Sequence, residues 1–316
     1  MSVTEGPRPA REDPIIAQRR LRTMLRRLRL GPEDQKQKQT QKQVAEALDW
    51  SPSKLMRLEA GQAPVATSDL LALLSYYGVT DRNRIDELAE LARVSRRNAP
   101  LRDTYRDVFS REFAEFVQHE AYASDIRGFE TKLVPGLLQT EDYADAVIRA
   151  YLGANPKESD ATRRVQARLE RSGYLLSRPD GGPDMSFIID EAAVRRNVGR
   201  ESGNKTLMVK QLERLKELNK RPNIKIQIVP FDLGMYSALR GPFELLEFED
   251  AEDELLLYLE NPQGDELIHE DFGEIEPYID AYAALEAKLS SDALPSFEEQ
   301  IDKIIRQMKH AESAGP

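Results

Sequence analysis

The sequence predicts a chain in two parts, an all-α module at the N-terminus followed by a larger mixed α+β domain. Three observations carry this. Residues 40–61 read as two short helices, each with its own cap, joined by a tight turn. Beyond about residue 112, apolar runs bounded by Pro, Gly, Asn or Asp mix with stretches of helical spacing. And 316 residues exceed the ~250 that one core commonly spans, so about two domains are expected.

Thr40 suits the N-cap of a helix whose apolar face is Val44, Ala45 and Leu48. After a turn at Asp49 and Trp50, Ser51 caps a second helix with Pro52 at its first position. Leu55 and Leu58 then face inward, and Ser53, Lys54 and Arg57 lie on the opposite face, free to meet a nucleic-acid groove. Gly61 supplies a left-handed residue to end the helix. This is a helix-turn-helix. Residues 15–57 hold eleven basic side chains against four acidic ones, a net +7, whereas the whole chain carries −10. A basic module on an acidic protein is the electrostatic footprint of a DNA binder. The arginine run from 19 to 29, taken alone, reads equally well as the solvated face of an amphipathic helix.

The arrangement resembles the Cro/repressor type of helix-turn-helix, the XRE family, over residues 16–97. The resemblance implies a five-helix domain, with helices at 19–30, 40–48, 51–60, 68–77 and 82–96. It places Gln41 where the family anchors the DNA backbone, and Ser53, Lys54 and Arg57 where side chains face base edges. With Lys42 and Ser51 these form the candidate DNA-contacting set. The connection at residues 31–39, GPEDQKQKQ, is longer and more polar than the family pattern. Its Lys36 and Lys38 either add phosphate contacts or belong to a disordered loop. Double-stranded DNA bound by a homodimer on a palindromic operator is the expected partner.

Residues 1–15 read as a flexible arm and 98–111 as a linker, ahead of an α+β domain at 112–309 and a tail at 310–316. Within that domain the strand candidates are 126–133, 185–189, 224–229, 242–248 and 254–260. Helical spacing runs through 111–123, 140–151, 160–176, 205–220, 275–289 and 297–308. The absence of regular alternation argues against a doubly wound sheet. The apolar stripes of the last two helices suit packing on the sheet more than packing on a second subunit.

The string FETKLVPGLLQTEDYADAVI at 129–148, with IIDEAAVRRNVG, IQIVPF, GPFELLEF and LYLENPQGDELI further on, is similar to the C-terminal domain of actinobacterial XRE regulators of the WhiJ and antitoxin-like type. That resemblance implies a transcription regulator working beside a small companion protein. It implies no reaction. Read from the residues alone, the Pro135-Gly136 turn and the helix capped by Thr140 make the LVPGLLQTEDY segment structural.

Chemistry-bearing patterns are few. The chain has no cysteine, hence no disulfide or thiolate site, and the three histidines, His119, His269 and His310, are too dispersed to suggest a metal unless the fold gathers them. No Gly-rich phosphate loop or nucleophile elbow occurs. Residues 241–278 carry fourteen acidic side chains and no Lys or Arg, alternating with apolar residues as a solvated strand face does. Glu247, Glu249, Asp250, Glu252 and Asp253 are the candidate surface for a basic partner. No membrane-spanning or signal-like run is present, so a cytoplasmic, nucleoid-associated protein is expected, without cofactor and not an enzyme. The function expected is sequence-specific transcription regulation with a C-terminal domain that senses a protein or ligand. The alternative is an antitoxin-like protein that sequesters a small partner and regulates its own synthesis.

Overall fold

Pro14 is the first residue of α1 (Pro14–Leu30), where its missing N–H leaves no helical hydrogen bond unmade. The family resemblance starts this helix at Arg19; the buried Ala17, in line with Leu21 and Leu25, extends it backward. The structure is a computed structural model. It describes residues 14–31, 39–59, 63–96, 108–153, 157–178, 181–200, 203–204, 206–248, 255–261, 263–269, 272–291 and 294–313, without the side chains of 15, 16, 19 and 311–313. The expected N-terminal arm, Lys36, Lys38, Gly61 and most of the 98–111 linker lie outside the described residues. The chain divides into two units, 1–104 and 105–316.

In the first unit α1 is followed by α2 (Gln41–Ala47), α3 (Pro52–Glu59), α4 (Thr67–Tyr76) and α5 (Arg82–Ser95). Thr40 and Gln43 form a reciprocal capping box: the Gln43 amide donates to Thr40 Oγ1 at 3.2 Å, and the Thr40 amide to Gln43 Oε1 at 2.8 Å. At the other end of α2, Asp49 adopts a left-handed backbone with φ 55°. The amides of Asp49 and Trp50 then turn back onto the carbonyls of Glu46 (3.2 Å) and Ala45 (2.8 Å), closing the helix and setting the path into α3. Leu21, Leu25, Val44, Leu55, Leu58, Leu70, Leu73, Leu88 and Leu91 share one buried core.

The second unit is built on a six-stranded sheet in the order β3-β2-β1-β4-β5-β6, with strands β1 (Asp125–Glu130), β2 (Asp184–Asp190), β3 (Ile224–Val229), β4 (Phe243–Glu247), β5 (Leu255–Leu259) and β6 (Glu266–His269). Helix α6 (Arg111–Glu120) precedes β1; α7 (Glu141–Leu152) and α8 (Glu158–Leu176) join β1 to β2; α9 (Glu191–Arg195) and α10 (Leu207–Leu218) join β2 to β3. The first three strands are parallel and the last three antiparallel. The expected irregular mixing therefore holds only for the second half; the first half is a helix-crossed parallel sheet, whose strands are apolar on both faces.

Each face has its own cover. Ile126, Phe187, Ile226 and Leu246 pack under Phe116, Tyr143, Leu212 and Ile301, from α6, α7, α10 and α12 (Phe297–Ser313). Phe129, Ile188, Phe243 and Leu257 on the reverse face pack under Ile275, Tyr282 and Leu285 of α11 (Phe272–Leu289). The two terminal helices thus pack on opposite sides of the sheet. Gly128 makes one crossing possible: a Cβ there would stand 2.6 Å from the ring of Phe187, its register partner on β2. No helix among the described residues is long and apolar enough to cross a membrane.

Candidate nucleic-acid interface

The second helix of the motif has one locked side and one open side. On the locked side, Leu55 and Leu58 are buried and Glu59, at its end, is nearly as deep. The Glu59 carboxylate accepts from Arg29 Nε at 2.7 Å, Arg29 Nη2 at 3.0 Å and Gln41 Nε2 at 2.7 Å, and its carbonyl accepts from Arg22 Nε at 3.0 Å. One acidic residue so ties α1, α2 and α3 together. Tyr77, half-buried beside this pair, has its hydroxyl pKa pushed up by burial first and by Glu59 next. Arg22 and Arg29 are accordingly buried structural arginines, neither DNA contacts nor a solvated face.

On the open side Ser51, Ser53, Met56 and Arg57 are exposed. Arg57 Nε rests on the Ser53 carbonyl at 3.2 Å, and Ser51 Oγ lies 3.2 Å from Ser53 Oγ. Met56, 53% exposed, belongs to this face and was not singled out from the sequence, although its offset of three from Ser53 puts it there. An apolar side chain in such a place suits a thymine methyl group.

Lys54 sits to one side: its Nζ is 2.7 Å from Asp69 Oδ1 on α4 and 3.9 Å from the centroid of the Trp50 ring. Gln41 is held by Glu59 rather than pointing free. Lys42 is well exposed, with Glu46 3.9 Å away one turn on. The structure thus gathers Ser51, Ser53 and Arg57 on one open surface, engages Lys54 and Gln41 within the domain, and leaves Lys36 and Lys38 undescribed.

In the acidic segment of the second unit one residue, Glu244, departs from the expected solvated face. Glu247 is paired with Arg127 at 2.7 Å, and Glu249, Asp250, Glu252 and Asp253 lie outside the described residues. Glu244 does not face solvent: burial pushes its pKa up to about 8, against the pull of Arg171. His119 and His269 do approach, with ring centroids 5.2 Å apart, yet no group of three metal-capable side chains occurs among the described residues. Glu191 and Arg195 pair along α9, and Glu191 also accepts the Phe231 amide at 2.7 Å.

Residues 19–91 match the family described as a helix-turn-helix domain, and residues 113–296 match a domain of unknown function, DUF5753. No curated protein and no solved structure matches the chain. A helix-turn-helix whose second helix is anchored on one side and polar, basic and open on the other is a DNA-binding arrangement. With more than half of its 316 residues inside the second match, the chain belongs to the DUF5753 family and carries a helix-turn-helix DNA-binding domain ahead of the family's own domain.

Proposed function

We propose that the protein is a sequence-specific transcription regulator of the XRE kind, in which α3 enters the major groove and the DUF5753 domain acts as the regulatory half. The observation that carries this is the two-sidedness of α3: Glu59 fixes its inner edge to α1 and α2, while Ser53, Met56 and Arg57 stand exposed together. Arg57 reads a base edge, and Lys42 at the start of α2 serves the phosphate backbone. One helix of eight residues reads few base pairs, so the protein acts as a homodimer on a palindrome with half-sites about one helical turn, ~34 Å, apart.

The C-terminal half resembles the actinobacterial WhiJ-like and antitoxin-like regulators in its motifs, which supports a role in binding a signal and a cytoplasmic, nucleoid-associated location. Genome-wide mapping of the bound protein tests the reading. It predicts discrete sites sharing an inverted repeat; uniform coverage, unchanged by Arg57→Ala, would remove it.

A further inference from the structure

The DUF5753 domain encloses a cavity of ≈80 Å³ beside the sheet. Its wall collects charged residues from distant parts of the chain: Glu130 at the end of β1, the exposed Lys132 just beyond it, Glu244 on β4, Glu260 just after β5, and Arg168 and Arg171 on α8. Gly136 of the LVPGLLQ segment closes one side, where a Cβ would come within 3.4 Å of Arg171 Nη1.

Arg171 is matched. It forms two 2.5 Å hydrogen bonds to the buried Glu120 and lies over the rings of Phe113 and Phe116 at 5.2 and 5.3 Å. Glu244 and Arg168 are not. Glu244 Oε2 is buried and accepts no hydrogen bond among the described residues, and its Oε1 is 4.0 Å from Arg171. Arg168 uses one of its five N–H donors, Nη1, on Gln139 Oε1 at 2.9 Å, and makes no ion pair among the described residues. Burial, with Glu260 and Glu244 nearby, holds Glu130 well above the ordinary carboxylate range, while burial and then Arg171 hold Arg168 below its own.

Leaving a buried acceptor and most of a guanidinium's donors unmatched carries a desolvation cost. A ligand that supplies both complements removes the cost. A guanidinium fork fits a carboxylate, and the two carboxyl groups, which an ammonium beside them would hold ionised, fit its three donors. A diamine would leave Arg168 unmatched beside a second cation, and a dicarboxylate would crowd Glu130 and Glu244.

Size narrows the ligand further. The cavity is far below the ~300–1,000 Å³ that encloses a whole drug-sized molecule. It shares Lys132, Leu133, Val147 and Tyr151, however, with an outer cleft of ≈1500 Å³ running along α7 and α8. We propose that the inner cavity binds the ammonium–carboxylate head of a small zwitterion, an amino acid in the broad sense. Its ammonium lies against Glu130 and Glu244, its carboxylate against Arg168, and its side chain in the outer cleft. The LVPGLLQ segment is then part of a binding wall as well as a structural turn. That the ligand controls DNA binding rests on the proposed regulator function; the site itself does not.

Calorimetry and thermal melting of the full-length protein, with the standard amino acids added singly and putrescine and succinate as single-sign probes, test the site. At least one amino acid is expected to bind saturably at micromolar to millimolar concentration and to raise Tm, with putrescine and succinate at least about tenfold weaker. Glu244→Gln and Arg168→Met should each weaken that binding about tenfold or more, with the melting curves of the unliganded variants reporting the fold. No saturable binding by any amino acid, or equal binding by putrescine or succinate, overturns the proposal. Operator affinity measured with and without the bound amino acid then tests control separately: binding without any change in operator affinity would leave the site standing and refute its regulatory use.

Discussion

Arg29 on α1 and Glu59 at the end of α3 form a buried two-pronged ion pair, Nε to Oε1 at 2.7 Å and Nη2 to Oε2 at 3.0 Å, 30 residues apart in sequence. Their side chains are 10% and 5% exposed, so neither charge has water to fall back on. Glu59→Ala would leave Arg29 buried and unpaired, and is expected to cost roughly 3–5 kcal/mol. The single tryptophan, Trp50, lies in this unit, so its fluorescence during urea unfolding reports the loss directly. A midpoint equal to wild type would contradict the pair's role.

Arg57→Ala should relax sequence preference by about 1–3 kcal/mol at one base pair of the operator. Lys42→Ala should instead weaken all sequences alike and lower the steepness of the salt dependence by about 0.9. Titrations of operator and scrambled duplexes at several salt concentrations separate the two effects.

Asp69→Asn removes the partner that draws Lys54 towards α4. With Lys54 released to the phosphates, non-specific DNA affinity should rise and the salt dependence should steepen by about 0.9. An unchanged slope would mean that Lys54 reaches DNA despite Asp69, or not at all.

The pH response of the C-terminal domain follows from Glu244, whose pKa rises from 4.5 unfolded to about 8 folded because burial, with Glu120 and Glu260 nearby, outweighs the pull of Arg171. The folded state holds the proton more tightly, so this contribution to stability is complete below pH 4.5 and is lost as pH climbs through about 8. Asp125, raised to about 6 by burial, adds a loss in the same direction at lower pH. The domain's melting temperature should therefore fall between about pH 5 and about pH 8.5. Glu244→Gln should flatten the fall and stabilise the protein at the alkaline end by roughly 1–3 kcal/mol. Melting curves across that range, wild type against variant, decide it.

Local chemistry made the helix-turn-helix legible: Thr40, the apolar spacing of Val44, Leu55 and Leu58, and Pro52 each act within one or two turns of themselves. The long strands were legible for the same reason, as apolar runs between breakers. What sequence spacing could not show is pairing at a distance. Lys54 meets Asp69 only because α4 crosses α3, and Glu244 sits in an alternating pattern that reads as solvated until α8 brings Arg171 over it. Strand β6 has only four residues, half-buried or exposed, in an acidic stretch, too little apolar signal to mark it. The alternation of β1 to β3 was hidden because two helices, not one, fill each crossover.

The position of β1 has a consequence for how the domain comes into being. Its neighbours are β2, with Ile126 beside Met185, and β4, with Ile126 beside Leu246, so this central strand has no hairpin partner on either edge. Closing such long loops is entropically slow, and during synthesis β1 must wait with its ladder unmatched until most of the chain has emerged. The five described helices of the first unit need no residue beyond that unit and can settle first. A chain cut short before β4 would keep the helix-turn-helix unit tethered to an open, apolar strand edge, the kind of surface on which chains aggregate.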